Sequence, residues 1–412
     1  MAVRQVPTAC VMLKKISVAD LRLGMHLHRF EAAWIDHPFW RTRFLLEDPA
    51  DLARVRASVV RECWIDVSRG HDVNRPPAAP APALPPPVPP PAEPPPEPAV
   101  SMDEELRRAA ALCQRSREQV LQMFGEARMG RALDTASSAA LVEDVAASVF
   151  RHPGALVSLA RLKTADDYTY MHSVAVCALM VALGRTLGLT DDECRQAGLA
   201  GLLHDMGKAL MPGEVLNKPG RLTDAEYDVM KTHPERGFAL LAESRGVAPE
   251  ALDVVLHHHE RIDDRGYPHG LAGEAITRLA RMGAVCDVYD AITSNRPYKA
   301  GWDPADSIAR MAGWQGHFDP EVFAAFVKTM GIYPTGSIVR LASGRLAVVL
   351  EQNAAALTAP VVKVFFSIRA NLRLAPERID LARSADRIVG RESRATWASQ
   401  QIDARWAGDA IG

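Results

Sequence analysis

A chain of 412 residues, at about 150 per domain, carries two or three folded units, which excludes a peptide or a single small module. Its 48 Lys and Arg stand against 50 Asp and Glu for a net charge of -2, with 48% hydrophobic and 24% charged residues. Global disorder is excluded, and so is the basic excess that drives non-specific binding of a DNA or RNA polymer. Any anionic substrate must be held locally.

The six cysteines are scattered and form no C-x-x-C pair, so neither a disulfide framework nor a thiolate zinc site is expected. A reducing cytoplasm is the expected compartment. The longest strongly apolar run, residues 174–183, is about half of what a membrane span needs. The opening residues, interrupted by Pro7, lack the apolar region of a secretory signal. Neither membrane insertion nor export is expected.

In chain order, residues 1–75 read as a small α+β domain. Short apolar runs such as Leu21-Arg22-Leu23-Gly24-Met25 and Glu62-Cys63-Trp64-Ile65-Asp66-Val67 alternate with turns, with a helical stretch near 51–60. Its histidines His26, His28, His37 and His71 show no ligand spacing. Residues 76–100 hold about half of the 29 prolines, interleaved with Ala, Leu, Val and Glu. Such a run favours polyproline II and spans on the order of 70 Å, so it reads as a linker.

Residues 101–155 read as a helical connector. Ser101-Met102-Asp103-Glu104 has the form of a capping box, followed by Leu106, Ala110, Cys113, Val120 and Met123 at roughly helical spacing. Helix continues through 156–332, an all-α domain cut by Gly188, Pro212, Gly220 and Pro234. Residues 333–412 change pattern at Ser337-Ile338-Val339-Arg340-Leu341, and runs near 346–350 and 361–366 complete a β-rich appendage and tail. The fold class is multidomain: a small α+β domain, an all-α helical domain and a short β appendage.

Seven of the 13 histidines, His172, His204, His233, His257, His258, His259 and His269, crowd into less than a quarter of the chain. His204 precedes Asp205, and His259 precedes Glu260. Asp287 lies in the apolar run Ala284-Val285-Cys286-Asp287-Val288-Tyr289, where an unpaired charge would cost several kcal/mol. Imidazole and carboxylate donors without thiolate suit Fe, Mn, Ni, Co or catalytic Zn. Six or seven such donors exceed the need of one ion. Two ions bridged by a carboxylate can clamp the attacking and leaving oxygens of a phosphoryl group, which points to phosphoester hydrolysis.

These segments resemble the HD-GYP subfamily of the HD phosphohydrolases, which hydrolyse the bacterial messenger cyclic di-GMP. Tyr168-Thr169-Tyr170-Met171-His172 is similar to the first ligand segment, His204-Asp205-Met206-Gly207-Lys208 to the HD-x-GK signature, and His233-Pro234 to the third segment. His258-His259-Glu260 through Gly266-Tyr267-Pro268 resembles the segment that names the subfamily, and Asp287 through Lys299 closes the set. Leu23-Gly24-Met25 through Gly70 resembles the α+β domain often fused to it. The resemblance implies His172, His204, Asp205, His233, His258, His259 and Asp287 as ligands of two divalent ions, Fe or Mn, with Asp205 bridging. It implies Asp205 and Lys208 as catalytic residues, and Arg296, Lys299, Tyr267 and Asp290 as contacts to cyclic di-GMP. The products would be pGpG and GMP.

Three departures stand out. Asp264, flanked by Arg265, replaces the usual glycine before Gly-Tyr-Pro; Asp tolerates left-handed backbone, so the turn can survive. His257 extends the histidine run and falls outside the ligand set. Tyr168 replaces a Glu that recruits a third metal in some relatives, so two metals are expected. A weakly catalytic sensor of cyclic di-GMP or of a signalling protein is the alternative reading. The helices between 101 and 159 could also pair two chains.

Overall fold

The computed structural model describes residues 12–30, 44–58, 60–73, 100–131, 135–162, 168–244, 246–295, 301–353, 355–394, 396–397 and 401–408. The proline-rich linker, His37, Arg296, Lys299 and the Tyr168 side chain lie outside the described residues. Packing divides the chain into two units, Met1–Pro96 and Glu97–Gly412.

In the first unit, β1 (Leu13–Ser17), β2 (His26–Phe30), β3 (Phe44–Leu45) and β4 (Glu62–Asp66) form one antiparallel sheet in the order β1-β4-β2-β3. Alternation along β4 buries Cys63 and Ile65, and Ile65 sits opposite Leu27 of β2. Helix α1 (Pro49–Ala57) lays Leu52 and Val55 on the same cluster as Leu21, Met25, Leu27 and Leu46. This is the small α+β domain expected from the sequence.

The second unit opens with α2 (Met102–Arg128), capped by the Ser101 hydroxyl, which accepts from the Glu104 amide. Its buried stripe runs through Leu106, Ala109, Leu112, Ser116, Val120 and Met123, whereas Ala110 and Cys113 are half-exposed. Glu105 is fully buried. It accepts two hydrogen bonds from Arg151, at 2.8 and 2.9 Å, and one from Ser148 at 2.7 Å, both residues of α3 (Thr135–Arg151). The stretch expected to be a helical connector thus forms α2 and α3, which pack on each other within the second unit.

The remaining helices are α4 (Pro153–Ala160), α5 (Tyr168–Thr186), α6 (Asp191–Leu203), α7 (Gly213–Leu216), α8 (Asp224–Met230), α9 (His233–Ala242), α10 (Pro249–His257), α11 (Arg278–Thr293), α12 (Pro304–Ala312) and α13 (Pro320–Met330). Helix α5 is the central one, with residues 171–184 all buried, which accounts for its apolar run. No helix among the described residues is long and apolar enough to cross a membrane.

The chain ends in β5 (Ile338–Leu341), β6 (Arg345–Glu351), β7 (Val361–Ser367), β8 (Leu372–Asp380) and β9 (Ile388–Glu392), followed by α14 (Ile402–Ala407). The strands form an antiparallel sheet in the order β8-β7-β6-β5-β9. The outer strands β8 and β9 escape sequence reading. β8 is largely exposed, rich in charge, and carries Pro376 at a register irregularity, all features of an edge strand.

Candidate metal centre

Most donors come from the ends of helices. His172 lies in the first turns of α5, His233 is the first residue of α9, and His258 and His259 follow α10 directly. Asp287 sits in the middle of α11, one turn before Asp290. His204 caps α6 with helical angles, but Asp205 has φ -102° and ψ 9°, and residues Met206–Leu210 form a 3-10 turn. The pair thus straddles a helix end.

Gly207 makes this turn possible. A Cβ there would lie 1.8 Å from the His233 carbonyl oxygen and 2.7 Å from the Gly237 nitrogen. The absent side chain lets the His-Asp turn press on α9, which brings His233 to Asp205.

Seven side chains converge in two groups, Asp205 with His233, His258 and His259, and His172 with His204 and Asp287. Asp205 faces both. Its Oδ1 lies 3.3 Å from His233 Nε2 and 3.8 Å from His258 Nε2, and its Oδ2 lies 3.3 Å from His204 Nε2 and 3.5 Å from His172 Nε2. Asp287 places Oδ1 3.0 Å from His172 Nε2 and Oδ2 3.7 Å from His259 Nδ1. All are buried except His259, which is partly exposed.

The outward nitrogens of four rings are fixed. Nδ1–H donates to the Gly201 carbonyl from His204 (2.8 Å), to Met230 from His233 (2.8 Å) and to Val255 from His258 (3.0 Å). A carbonyl can only accept, so Nδ1 carries the proton and Nε2 presents its lone pair to the centre. His172 does the same through Asp290, whose Oδ2 accepts from Nδ1 at 2.6 Å. Asp290, expected at the substrate, is buried behind His172 and also accepts from Ser294 Oγ at 3.2 Å. In the structure its carboxylate contacts the His172 ring and Ser294.

The charge states suit cation binding. Burial opposes ionisation of Asp205, but Lys208 and His204 outweigh it and hold the carboxyl well below the usual range. The same holds for Asp287, where His172 and His259 outweigh burial. Burial and neighbouring rings push His258 down, and burial takes His259 to about 3, leaving both neutral with free lone pairs at pH 7. Burial also opposes charge on His172, yet Asp287 and Asp290 raise its pKa. Two atoms aimed into the centre, His204 Nε2 and Asp205 Oδ1, are buried without a hydrogen-bond partner among the described residues. Buried polar atoms are ordinarily satisfied, so these donors fit metal ions. The nearby thiols of Cys177 and Cys286 are pushed up by burial, which keeps them protonated and leaves nitrogen and oxygen as the donors.

Lys208 Nζ lies 2.5 Å from Asp205 Oδ2 and keeps about a fifth of its side chain exposed, so it stands at the mouth of the centre. Tyr267 is stacked on His259, with ring centroids 4.6 Å apart, and meets Tyr227 edge-on. Its contact in the structure is thus to a candidate ligand. His257 turns away, bonded to Asp253 (2.8 Å) and His269 (3.1 Å).

Glu260, adjacent to the histidines in sequence, also points elsewhere. Its buried carboxylate accepts from the His269 amide (2.7 Å) and the Leu271 amide (3.0 Å), which ties down the loop that carries Tyr267. Asp264 in that loop has φ 62°, the left-handed conformation the sequence requires of it. Gly266 packs so tightly that a Cβ would lie 2.5 Å from the Glu260 Cα. The sequence offered one signal for Glu260, a carboxylate just ahead of a glycine-rich turn whose amides need acceptors.

The sequence also matches known families and proteins. Residues 141–322 match a family described as HD domain, and residues 13–137 match DUF3391, a domain of unknown function. The chain is 56% identical over 400 residues to the cyclic di-GMP phosphodiesterase PA4108 of Pseudomonas aeruginosa, covering 96% of each. It is 42% identical over 180 residues to the cyclic di-GMP phosphodiesterase response regulator RpfG of Xanthomonas campestris pv. campestris, covering 42% of this chain and 47% of that one. It is 34% identical over 170 residues to the 3'3'-cGAMP-specific phosphodiesterase 1 of Vibrio cholerae, covering 41% and 39%.

Proposed function

The chain belongs to the HD-GYP family of cyclic di-GMP phosphodiesterases, and from that membership we propose that it hydrolyses cyclic di-GMP to linear pGpG and, by a second cut, to GMP. The observation that carries the reading is the position of Asp205, whose two oxygens each face a separate group of imidazole donors. His172, His204 and Asp287 would hold one divalent ion and His233, His258 and His259 the other, Fe or Mn, with Asp205 shared. Such ions supply Lewis acidity toward a phosphoryl oxygen and a nucleophile at neutral pH.

The chain's own groups do the rest. Asp290 holds His172 in one tautomer and one orientation. Lys208 offers an ammonium to the phosphate as negative charge builds on its oxygens. Arg296 and Lys299 grip the phosphodiesters, a task that suits a fork of N–H donors and a point charge. Tyr267 covers His259 and limits water at that side of the centre. In the reaction, the oxygen of water ends on phosphorus, the bond to the 3' oxygen breaks, and that oxygen leaves as a hydroxyl. The compartment proposed is the cytoplasm.

The test is hydrolysis of cyclic di-GMP by protein prepared anaerobically with Fe or Mn, products separated by chromatography. Wild type yields linear product and Asp205→Ala yields none. Stoichiometric metal and tight cyclic di-GMP binding without turnover would transfer the protein to the sensor reading.

A further inference from the structure

A cavity of about 720 Å³ lies in the helical unit, and none of the seven candidate ligands lines it. Its walls are the end of α4, the last turn of α11, the start of α12 and the start of α14. The volume is that of a pocket enclosing a small organic ligand.

Two of the wall carboxylates are ion-paired. Asp403 pairs with Arg394 and accepts from the Trp406 indole at 3.1 Å, and Asp306 pairs with Arg391 at 3.3 Å. Asp303 caps α12 through Oδ1, which accepts from the Ala305 and Asp306 amides; its Oδ2 is buried without a hydrogen-bond partner among the described residues, and burial raises its pKa toward the neutral form. Two guanidinium groups are different. Arg161 is buried, at 6% exposure, and donates Nη2–H to the Thr335 carbonyl at 3.1 Å; it meets no carboxylate at ion-pair distance among the described residues. Arg310 likewise has no ion pair among the described residues, and its guanidinium lies over the Trp302 ring, 4.5 Å from the centroid.

A buried cation with no contact ion pair, balanced only by Asp303 and Asp403 at longer range, is costly, and an entering anion relieves it. A stacked guanidinium and indole present flat, polarizable surfaces of the kind on which nucleobases stack. We propose that this cavity binds a nucleoside 5'-monophosphate, with the phosphate at Arg161 and the base against Trp302 and Arg310. The proposal is independent of which phosphodiester the metal centre cuts. The site shares an element with that centre: Thr293 lines the cavity and Asp287 lies six residues earlier on α11, about 9 Å along one helix.

The experiment titrates GMP into the full chain, followed by calorimetry and tryptophan fluorescence, with inorganic phosphate as the comparison ligand. Saturable binding is expected, persisting after chelation of metal. It should weaken by about tenfold in Arg310→Ala and in Trp302→Ala, as loss of a stacking partner does. Because Arg310 is exposed, its variant should fold and should hydrolyse cyclic di-GMP at a rate close to wild type. Arg161→Lys tests the phosphate contact, and a melting curve reports whether that variant is folded. No saturable binding at millimolar GMP would overturn the proposal. So would loss of binding on chelation, equal affinity for inorganic phosphate, or GMP affinity unchanged in both Arg310→Ala and Trp302→Ala.

Discussion

Removing the Asp290 carboxylate perturbs the centre without touching any atom that faces it. In the wild type, Oδ2 accepts from His172 Nδ1–H at 2.6 Å in a buried site, while His172 Nε2 points to Asp287 and Asp205. Asp290→Asn can still present a carbonyl oxygen to Nδ1–H, so the ring keeps its orientation and loses only the charge that makes it a better donor. Asp290→Ala leaves Nδ1–H buried and unpaired, a cost of about 1–3 kcal/mol, and frees the ring to turn. Groups that orient metal-bound imidazole are worth about 10–100-fold in metal affinity. The expectation is about tenfold weaker metal binding for Asn and about a hundredfold for Ala, or ~1.4 and ~2.7 kcal/mol. Competition against a chelator of known affinity measures this directly. If both variants hold metal within twofold of wild type, the reasoning fails. A KM increase at full metal occupancy would return Asp290 to the substrate.

Other expectations follow from packing and charge. Glu105→Ala leaves the buried Ser148 hydroxyl and the partly exposed Arg151 guanidinium without their acceptor and should destabilise the helical unit by about 1–3 kcal/mol, read from its urea midpoint; an unchanged midpoint would detach α2 from the core. Gly207→Ala places a methyl 1.8 Å from the His233 carbonyl, so backbone must shift; melting temperature and cyclic di-GMP hydrolysis should fall together, and a fully active variant would refute the close approach. Acid should weaken the metal-free protein earlier than carboxylate titration alone would. With His259 near 3 in the fold and 6.5 when unfolded, the unfolded chain binds one more proton across that interval, and stability falls by about 1.4 kcal/mol per unit as pH drops below 6.5. Urea midpoints of chelated wild type and His259→Asn at pH 7 and pH 5 should diverge at the lower value; parallel curves would refute this origin.

That a cluster exists was legible in the histidines crowded in sequence and in an aspartate within an apolar helix, whereas the choice of these seven, with His257 left out, came from the family resemblance. What those residues do beyond binding was less legible. Asp290 and Glu260 look like further donors in sequence, and only the fold shows one turned behind a ring and the other toward loop amides. The helix end between His204 and Asp205 was also hidden, since no proline or cap residue marks it; the close approach of Gly207 to α9 sets it. In the first unit, alternation along β4 was enough to read the sheet. At the other end, β8 has neither alternation nor burial to reveal it.

The donors are drawn from five stretches of chain between His172 and Asp287, and most sit at helix ends. Helix ends fray first, because their outer backbone groups lack intrahelical partners. Ions held there would act as rivets at the weakest points of α5, α6, α9 and α10. Their binding free energy would add to the stability of every helix they join, since the unfolded chain holds no such site. Metal supply would then govern two things at once, how fast each molecule turns over and how many intact molecules a cell retains.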